Sequence, residues 1–133
     1  MMRLINRLTK GLAVALSVLV IVAGTFLASA APASAATVTV NMGASKGAPL
    51  AFEPKTVSIN AGDSVKFVMN KLGPHNVMFD TVPAGVDAAA LSHSKLEVAP
   101  GASFTDTFEV PGTYTYYCTP HRGAGMVGSI TVK

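Results

Sequence analysis

The sequence predicts an all-β protein, an antiparallel sandwich or barrel with one short helix. Two observations support this class. Short runs alternate apolar and polar residues, as half-buried strands do, and clusters of Gly, Pro, Asn and Asp separate these runs at short intervals. After residue 36 the chain shows no repeat, charge block or low-complexity linker. One small β domain therefore accounts for everything that follows the N-terminal segment.

The alternation predicts seven strands in chain order: 37–42, 56–59, 64–69, a strand around Val77 and Phe79, 104–108, 113–118 and 129–132. Turn residues fall between them at 60–63, 72–74, 99–101 and 111–112. The segment 87–92 is the one candidate for a short helix.

Residues 1–35 are predicted to be a cleaved signal peptide. Arg3, Arg7 and Lys10 form a positive start, and an uncharged apolar run follows. Ala33-Ser34-Ala35 is the expected cleavage motif, with Ala28-Ser29-Ala30 as a second choice. The alternative, an uncleaved membrane anchor, is disfavoured because the apolar run is at the short edge of the spanning range.

Removing that segment leaves residues 36–133 with no net charge. The three basic residues of the leader account for the whole net charge of +3, so seven basic and seven acidic side chains remain. The balance gives no reason to expect nucleic-acid binding. A chain of this length forms one core without staples, and its single cysteine cannot form an internal disulfide.

That cysteine, Cys118, begins a loop that carries three potential metal ligands. His121 follows it by three residues and Met126 by eight, in the run Cys-Thr-Pro-His-Arg-Gly-Ala-Gly-Met. A thiolate and two imidazoles with a weak axial thioether suit copper that cycles between Cu(I) and Cu(II). A buried, inert thiol is the alternative for an isolated cysteine, but the polar loop with His121 favours ligation.

The second imidazole is assigned to His75 rather than His93. His75 shares a strand face with Val77 and Phe79, whereas His93 lies in the solvated-looking run Ser-His-Ser-Lys. On the same rule Tyr114, Tyr116 and Cys118 point inward and Tyr117 outward. Of the later methionines only Met126 follows the His121 loop, and Met42 and Met69 are expected in the core.

Other metals fit this ligand set less well. Structural zinc requires a closed set of four ligands, and the chain offers no second cysteine. Iron–sulfur clusters need more cysteines, and calcium or magnesium would need clustered oxygen ligands.

Residues 36–133 resemble the cupredoxins, and within them the branch that serves photosynthetic electron transfer. The resemblance is carried by Pro74-His75-Asn76-Val77, by Tyr116-Tyr117-Cys118 and by the loop from Cys118 to Met126. It implies an eight-stranded Greek-key sandwich with one copper at one end. It also implies a monomeric one-electron carrier, not an enzyme, that acts in the thylakoid lumen or periplasm of a cyanobacterium. The implied donor is cytochrome f, and the implied acceptor is photosystem I.

The resemblance also directs attention to the residues around the metal. Asn76 is expected to brace the loop near Thr119, and His121 to be the ligand at the solvent edge. Tyr117 is a candidate second electron exit, with an ordinary surface aromatic as the alternative. A docking face is expected around His121, and Arg122 is expected to steer partners there. That face comprises Leu50, Leu72, Pro74, Pro120, Gly123 and Ala124.

Two other functions remain open from the sequence, and a third is disfavoured. A pseudoazurin-like carrier would use the same ligand spacing with different partners. A copper store or carrier would release its metal, and favours exposed sulfur ligands. A copper enzyme would need further histidine-rich centres, for which only His93 is left.

Overall fold

The computed structural model describes residues 33–133, so almost all of the predicted signal peptide lies outside the described residues. This part of the chain contains nine strands, one short α-helix and one 3₁₀ helix. The strands are β1 (Thr37–Met42), β2 (Phe52–Glu53), β3 (Thr56–Ile59), β4 (Ser64–Met69), β5 (His75–Thr81), β6 (His93–Glu97), β7 (Ser103–Thr107), β8 (Gly112–Tyr117) and β9 (Val127–Val132). Helix α1 spans Ala88–Leu91, and the 3₁₀ helix spans Thr119–Ala124.

The strands form two sheets that enclose one core. One sheet has the order β2-β1-β4-β7, and the other has the order β3-β9-β8-β5-β6. The predicted all-β sandwich is therefore confirmed. Both sheets are mixed, because β1 pairs with β4 in parallel and β3 pairs with β9 in parallel. These parallel partners are joined by chain that crosses to the opposite sheet, so neither pair could form as a hairpin.

The predicted strands agree with the observed ones to within two residues, apart from the two that the pattern missed. β2 has only two residues, and β6 is an edge strand whose side chains are mostly exposed. An edge strand without a buried face shows no alternation, which is why the run around His93 looked like a solvated loop. The implied count of eight strands is thus one short, because nine are present in residues 33–133.

The short helix predicted at 87–92 is present as α1. Asp87 caps it, with its carboxylate accepting hydrogen bonds from the backbone N–H groups of Ala89 at 2.9 Å and Ala90 at 3.2 Å. No helix in residues 33–133 is long and apolar enough to cross a membrane.

The core is built around Tyr116, which stands on β8 opposite Gly128 of β9. Its ring packs edge-on against Phe52 and Phe67 from the facing sheet, at centroid distances of 4.8 and 5.3 Å. A Cβ at position 128 would lie 2.5 Å from this ring, so only glycine lets the tyrosine lie across β9. Met42, Met69 and Tyr114 are buried in the same core, as predicted.

Two antiparallel strands bring the predicted ligands to one end of the sandwich. β5 and β8 are paired with Met78 opposite Tyr117. The start of β5, which carries His75, therefore lies beside the end of β8, which leads into Cys118. The pairing of these strands therefore brings the two side chains to the same end of the sheet.

Candidate metal centre

His75, Cys118 and His121 meet at this end of the sandwich. Each offers one ligand atom, and the three atoms lie within 4.8 Å of one another. The Cys118 Sγ lies 3.6 Å from His75 Nδ1 and 3.4 Å from His121 Nδ1, and the two nitrogens are 3.1 Å apart. His75 and Cys118 are fully buried, whereas His121 is partly exposed. The cluster is thus a buried site with one edge at the surface.

The triangle formed by Cys118 Sγ, His75 Nδ1 and His121 Nδ1 has the right size for a transition-metal ion. A point equidistant from the three atoms would lie about 2.0 Å from each, which is close to the ~2.0–2.3 Å of metal–imidazole and metal–thiolate bonds. Two imidazoles and one thiolate in a trigonal arrangement are the donor set of copper electron-transfer sites. The residues present therefore fit one copper ion.

Hydrogen bonding prepares His75 to be a ligand through Nδ1. Its Nε2 donates to the backbone carbonyl of Lys71 at 2.6 Å, which leaves the Nδ1 lone pair facing the cluster in the neutral ring. Burial lowers the pKa of His75, and the Lys71 carbonyl opposes this shift only in part. The ring is therefore neutral and correctly oriented at neutral pH.

The surroundings of Cys118 favour the neutral thiol unless a cation binds beside the sulfur. Burial raises the pKa of the thiol, although backbone N–H groups of Asn76 and His121 partly offset this effect. A bound metal ion supplies the positive charge that holds a buried sulfur in its thiolate form.

Backbone hydrogen bonds close the loop from Cys118 to Met126, called the ligand loop below. The N–H of Cys118 donates to the carbonyl of Met126 at 3.1 Å, and the N–H of Met126 donates to that of His121 at 3.1 Å. Gly125 ends the 3₁₀ helix at a φ of 86°, a left-handed conformation that glycine adopts without strain. The Met126 side chain is fully buried and belongs to the hydrophobic core. Its role as the axial ligand stays a prediction.

Asn76 connects this loop to β5. Its Oδ1 accepts from the Thr119 N–H at 2.8 Å, and its Nδ2 donates to the Thr119 Oγ1 and to the Ser94 carbonyl, each at 3.1 Å. Asn76 is buried, so these bonds take the place of hydrogen bonds to water. The side chain is in a position to fix the loop relative to His75.

His93 lies away from the cluster. Its Nε2 is 2.9 Å from both carboxylate oxygens of Asp106, and its ring stacks on Phe104 at a centroid distance of 3.9 Å. These contacts join β6 to β7, which are edge strands of different sheets. Of the two candidate histidines, the structure brings only His75 to Cys118 and His121.

The residues expected to form the docking face differ in exposure. Leu72 is 58% exposed, and four residues of the 3₁₀ helix are exposed as well, namely Pro120, Arg122, Gly123 and Ala124. Leu50 and Pro74 are partly buried. The loop surface next to His121 is therefore open and, apart from Arg122, uncharged.

Arg122 has partners that the sequence did not reveal. Its Nη2 donates to Asp80 Oδ2 at 3.0 Å, and its guanidinium lies 4.0 Å above the centre of the Tyr117 ring. Asp80 also accepts a hydrogen bond from the Thr115 hydroxyl at 2.6 Å. Arg122 is thus held against the partly buried Tyr117 instead of extending freely. No local pattern could have indicated Asp80, since it lies 42 residues from Arg122.

Comparisons with known proteins agree with this geometry. Residues 38–133 match the family of copper binding proteins described as the plastocyanin/azurin family. The chain is 62% identical to a plastocyanin of Prochlorothrix hollandica over 132 residues, which covers 99% of this chain and 100% of that protein. It is 52% identical to a chloroplastic plastocyanin of Tetradesmus obliquus, over 86% of this chain and 77% of the relative.

Two solved structures are also similar to this chain. An oxidized plastocyanin of Dryopteris crassirhizoma superposes with a TM-score of 0.61 at 36% identity, covering 72% of this chain and all of that one. A pseudoazurin from Sinorhizobium superposes with a TM-score of 0.60 at 33% identity, covering 74% of each chain.

Proposed function

Because the chain belongs to the plastocyanin/azurin family of copper binding proteins, we propose that it carries electrons from cytochrome f to photosystem I. Its high identity to plastocyanins shows that it is a blue copper electron carrier, with copper as the cofactor. The proposal concerns the two partners, the residues that hold the metal and the place where the protein acts. The observation that carries it is a buried trigonal ligand set with one partly exposed imidazole, that of His121.

We assign His75, Cys118, His121 and Met126 as the ligands. When bound, copper supplies a one-electron Cu(I)/Cu(II) couple. The protein residues hold the ligand atoms nearly fixed, so little rearrangement would accompany a change of charge. The β5–β8 ladder, the Lys71 carbonyl and the Asn76–Thr119 bonds all serve this purpose.

His121 is the proposed route for electrons. It is the partly exposed member of the cluster, and exposed residues of the 3₁₀ helix surround it. Leu72 extends the same surface with an apolar side chain. A small, weakly charged face of this kind suits a transient complex that releases quickly. Tyr117 is the proposed second route, because it precedes Cys118 and faces outward.

We further propose that residues 1–35 direct export and are removed, and that residues 36–133 act as a monomer in the thylakoid lumen or periplasm. The leader composition and the Ala-Ser-Ala motif support this proposal.

Flash kinetics would test the proposed partners. The reduced copper protein should be oxidised by photosystem I particles after a flash, and the oxidised protein should be reduced by cytochrome f in stopped flow. Both reactions should be second-order, and a His93→Ala variant should react like the wild type. If neither partner reacts while ferricyanide still oxidises the copper, the protein is a carrier for another pathway, as a pseudoazurin-like role would require.

A further inference from the structure

Asp63 is a buried anion without a cationic side chain beside it. The residue is only 8% exposed. Its Oδ1 accepts a hydrogen bond from the Ala36 N–H at 2.8 Å, and its Oδ2 accepts one from the Asn60 N–H at 2.9 Å. No lysine, arginine or histidine within residues 33–133 forms an ion pair with it. Carboxylates with so little exposed surface are usually paired with a positive charge, and no cationic side chain of residues 33–133 supplies one here.

Ala36 is the point at which the backbone becomes fixed. Its N–H donates to Asp63, and its carbonyl accepts from the Ser64 N–H at 2.9 Å, directly before Thr37 pairs with Ser64 in the β1–β4 ladder. Residues 33–35, in contrast, are exposed and have no backbone hydrogen bond within the described range. The fold therefore begins at the residue that follows the Ala33-Ser34-Ala35 motif.

We propose that Asp63 is the binding site for the α-ammonium group of Ala36, which cleavage of the signal peptide creates. Hydrolysis of the Ala35–Ala36 peptide bond adds one water molecule. The hydroxyl group goes to the Ala35 carbonyl carbon, and a proton goes to the Ala36 nitrogen. At neutral pH the released carboxyl group loses a proton and the amine gains one. The nitrogen that already donates to Asp63 thereby acquires a full positive charge.

The distance between the two groups suits this role. An N–O separation of 2.8 Å is that of a charge-assisted hydrogen bond between an ammonium and a carboxylate. The two backbone N–H groups lower the pKa of Asp63, so the carboxylate is already ionised when the amine is released. Processing would then convert a neutral backbone contact into an ion pair that fastens β1 to the turn before β4.

Other ionisable residues lie on the segments that border this turn, but none pairs with Asp63. Glu109 Oε2 lies 3.9 Å from where a Cβ on Gly62 would be, and the Lys133 carbonyl accepts from the Ala61 N–H at 3.0 Å. Lys66 lies further along β4 and is exposed. The α-ammonium is therefore the cation best placed to neutralise Asp63.

The test uses the full-length chain, exported and processed by a cyanobacterial host and loaded with copper. N-terminal sequencing should begin at Ala36. Reductive ¹³C-dimethylation of the α-amine, followed by NMR titration, should give a pKa above the ordinary α-amino range of ~7.7–8.0. Asp63→Asn should return it towards that range. Asp87→Asn, which neutralises the cap of α1, should leave it raised.

Two results would overturn the proposal. One is a mature chain that begins at another residue, and the other is an α-amino pKa that is the same in wild type and Asp63→Asn. If Asp63→Asn does not accumulate, acetic anhydride labelling of the wild type decides. The α-amine should react more slowly in the native protein than in denaturing urea, and equal rates would contradict the ion pair. The inference rests on the proposed cleavage and not on the redox partners, so flash kinetics can fail or succeed independently of it.

Discussion

Asn76 and Thr119 exchange two hydrogen bonds in opposite directions. The Thr119 N–H donates to the Asn76 Oδ1 at 2.8 Å, and the Asn76 Nδ2 donates to the Thr119 Oγ1 at 3.1 Å. One residue follows His75 and the other follows Cys118. The pair therefore links the chain next to His75 to the chain next to Cys118, two members of the cluster that are distant in the sequence.

Asn76→Ala should loosen the ligand loop. It removes three hydrogen bonds of the side chain and leaves the Thr119 N–H without its partner, so the free energy of unfolding should fall by about 1–3 kcal/mol. Urea unfolding of the copper protein measures this loss. Thr119→Ala keeps the stronger backbone bond and should cost less. Equal losses in the two variants would contradict the account of Asn76.

The two buried tyrosines of β8 should respond in opposite ways to loss of their hydroxyls. The Tyr114 hydroxyl donates to the Val110 carbonyl at 2.7 Å, whereas the Tyr116 hydroxyl is buried without a partner among the described residues. Tyr114→Phe should lower the free energy of unfolding by about 1 kcal/mol. Tyr116→Phe should leave it unchanged or raise it, because an unpaired polar group leaves the core. A loss in Tyr116→Phe as large as in Tyr114→Phe would show that the hydroxyl has an additional partner, such as ordered water.

Arg122 and Asp80 should have opposite effects on docking. Arg122→Glu replaces the positive charge beside His121 with a negative one, and Asp80→Asn removes the negative charge that compensates Arg122. We expect Arg122→Glu to slow the reaction with photosystem I by roughly two- to tenfold at low ionic strength, because a charge at the rim of an interface acts on association. Asp80→Asn should change the rate in the other direction. Both effects should shrink as salt is added, and the visible spectrum should not change. If Arg122→Glu reacts as fast as wild type at low salt, Arg122 takes no part in docking.

Asp63 should make the free energy of unfolding depend on pH in the acidic range. Hydrogen bonds from the Ala36 and Asn60 N–H groups lower its pKa in the folded protein. Its contribution is therefore fully present above the unfolded aspartate pKa of about 3.9, and it is lost as the pH falls through the lower folded value. The urea midpoints of wild type and Asp63→Asn should differ by a constant amount from about pH 7 to 5 and converge below about pH 4. A difference that persists undiminished at lower pH would show that the charge of Asp63 is not the cause.

The sequence was informative wherever the pattern was local. Cys118 and His121 lie within one turn, and His75 continues the buried face of Val77 and Phe79, so spacing and alternation were enough to select them. The exposed edge strand β6 carries no alternation, and the parallel pairing of β1 with β4 depends on contacts between distant segments.

Local sequence patterns also could not indicate the groups that surround the site. The Lys71 carbonyl that orients His75 is a backbone group, which no residue type reveals. Asp80 reaches Arg122 and Thr115 only because β5 and β8 are neighbours in the folded sheet. Sequence reasoning therefore identified the side chains that cluster at this end of the sandwich but not the groups that orient and compensate them.

The visible absorption spectrum of the purified protein after addition of Cu(II) tests the central claim, that His75, Cys118 and His121 hold one copper ion. Wild type and His93→Ala should both give an intense blue thiolate-to-copper band at one equivalent of metal, because the His93 ring contacts Asp106 and Phe104 instead of the cluster. Cys118→Ser should give no such band. A blue Cys118→Ser protein, or a His93→Ala protein that has lost its copper, would contradict the assignment.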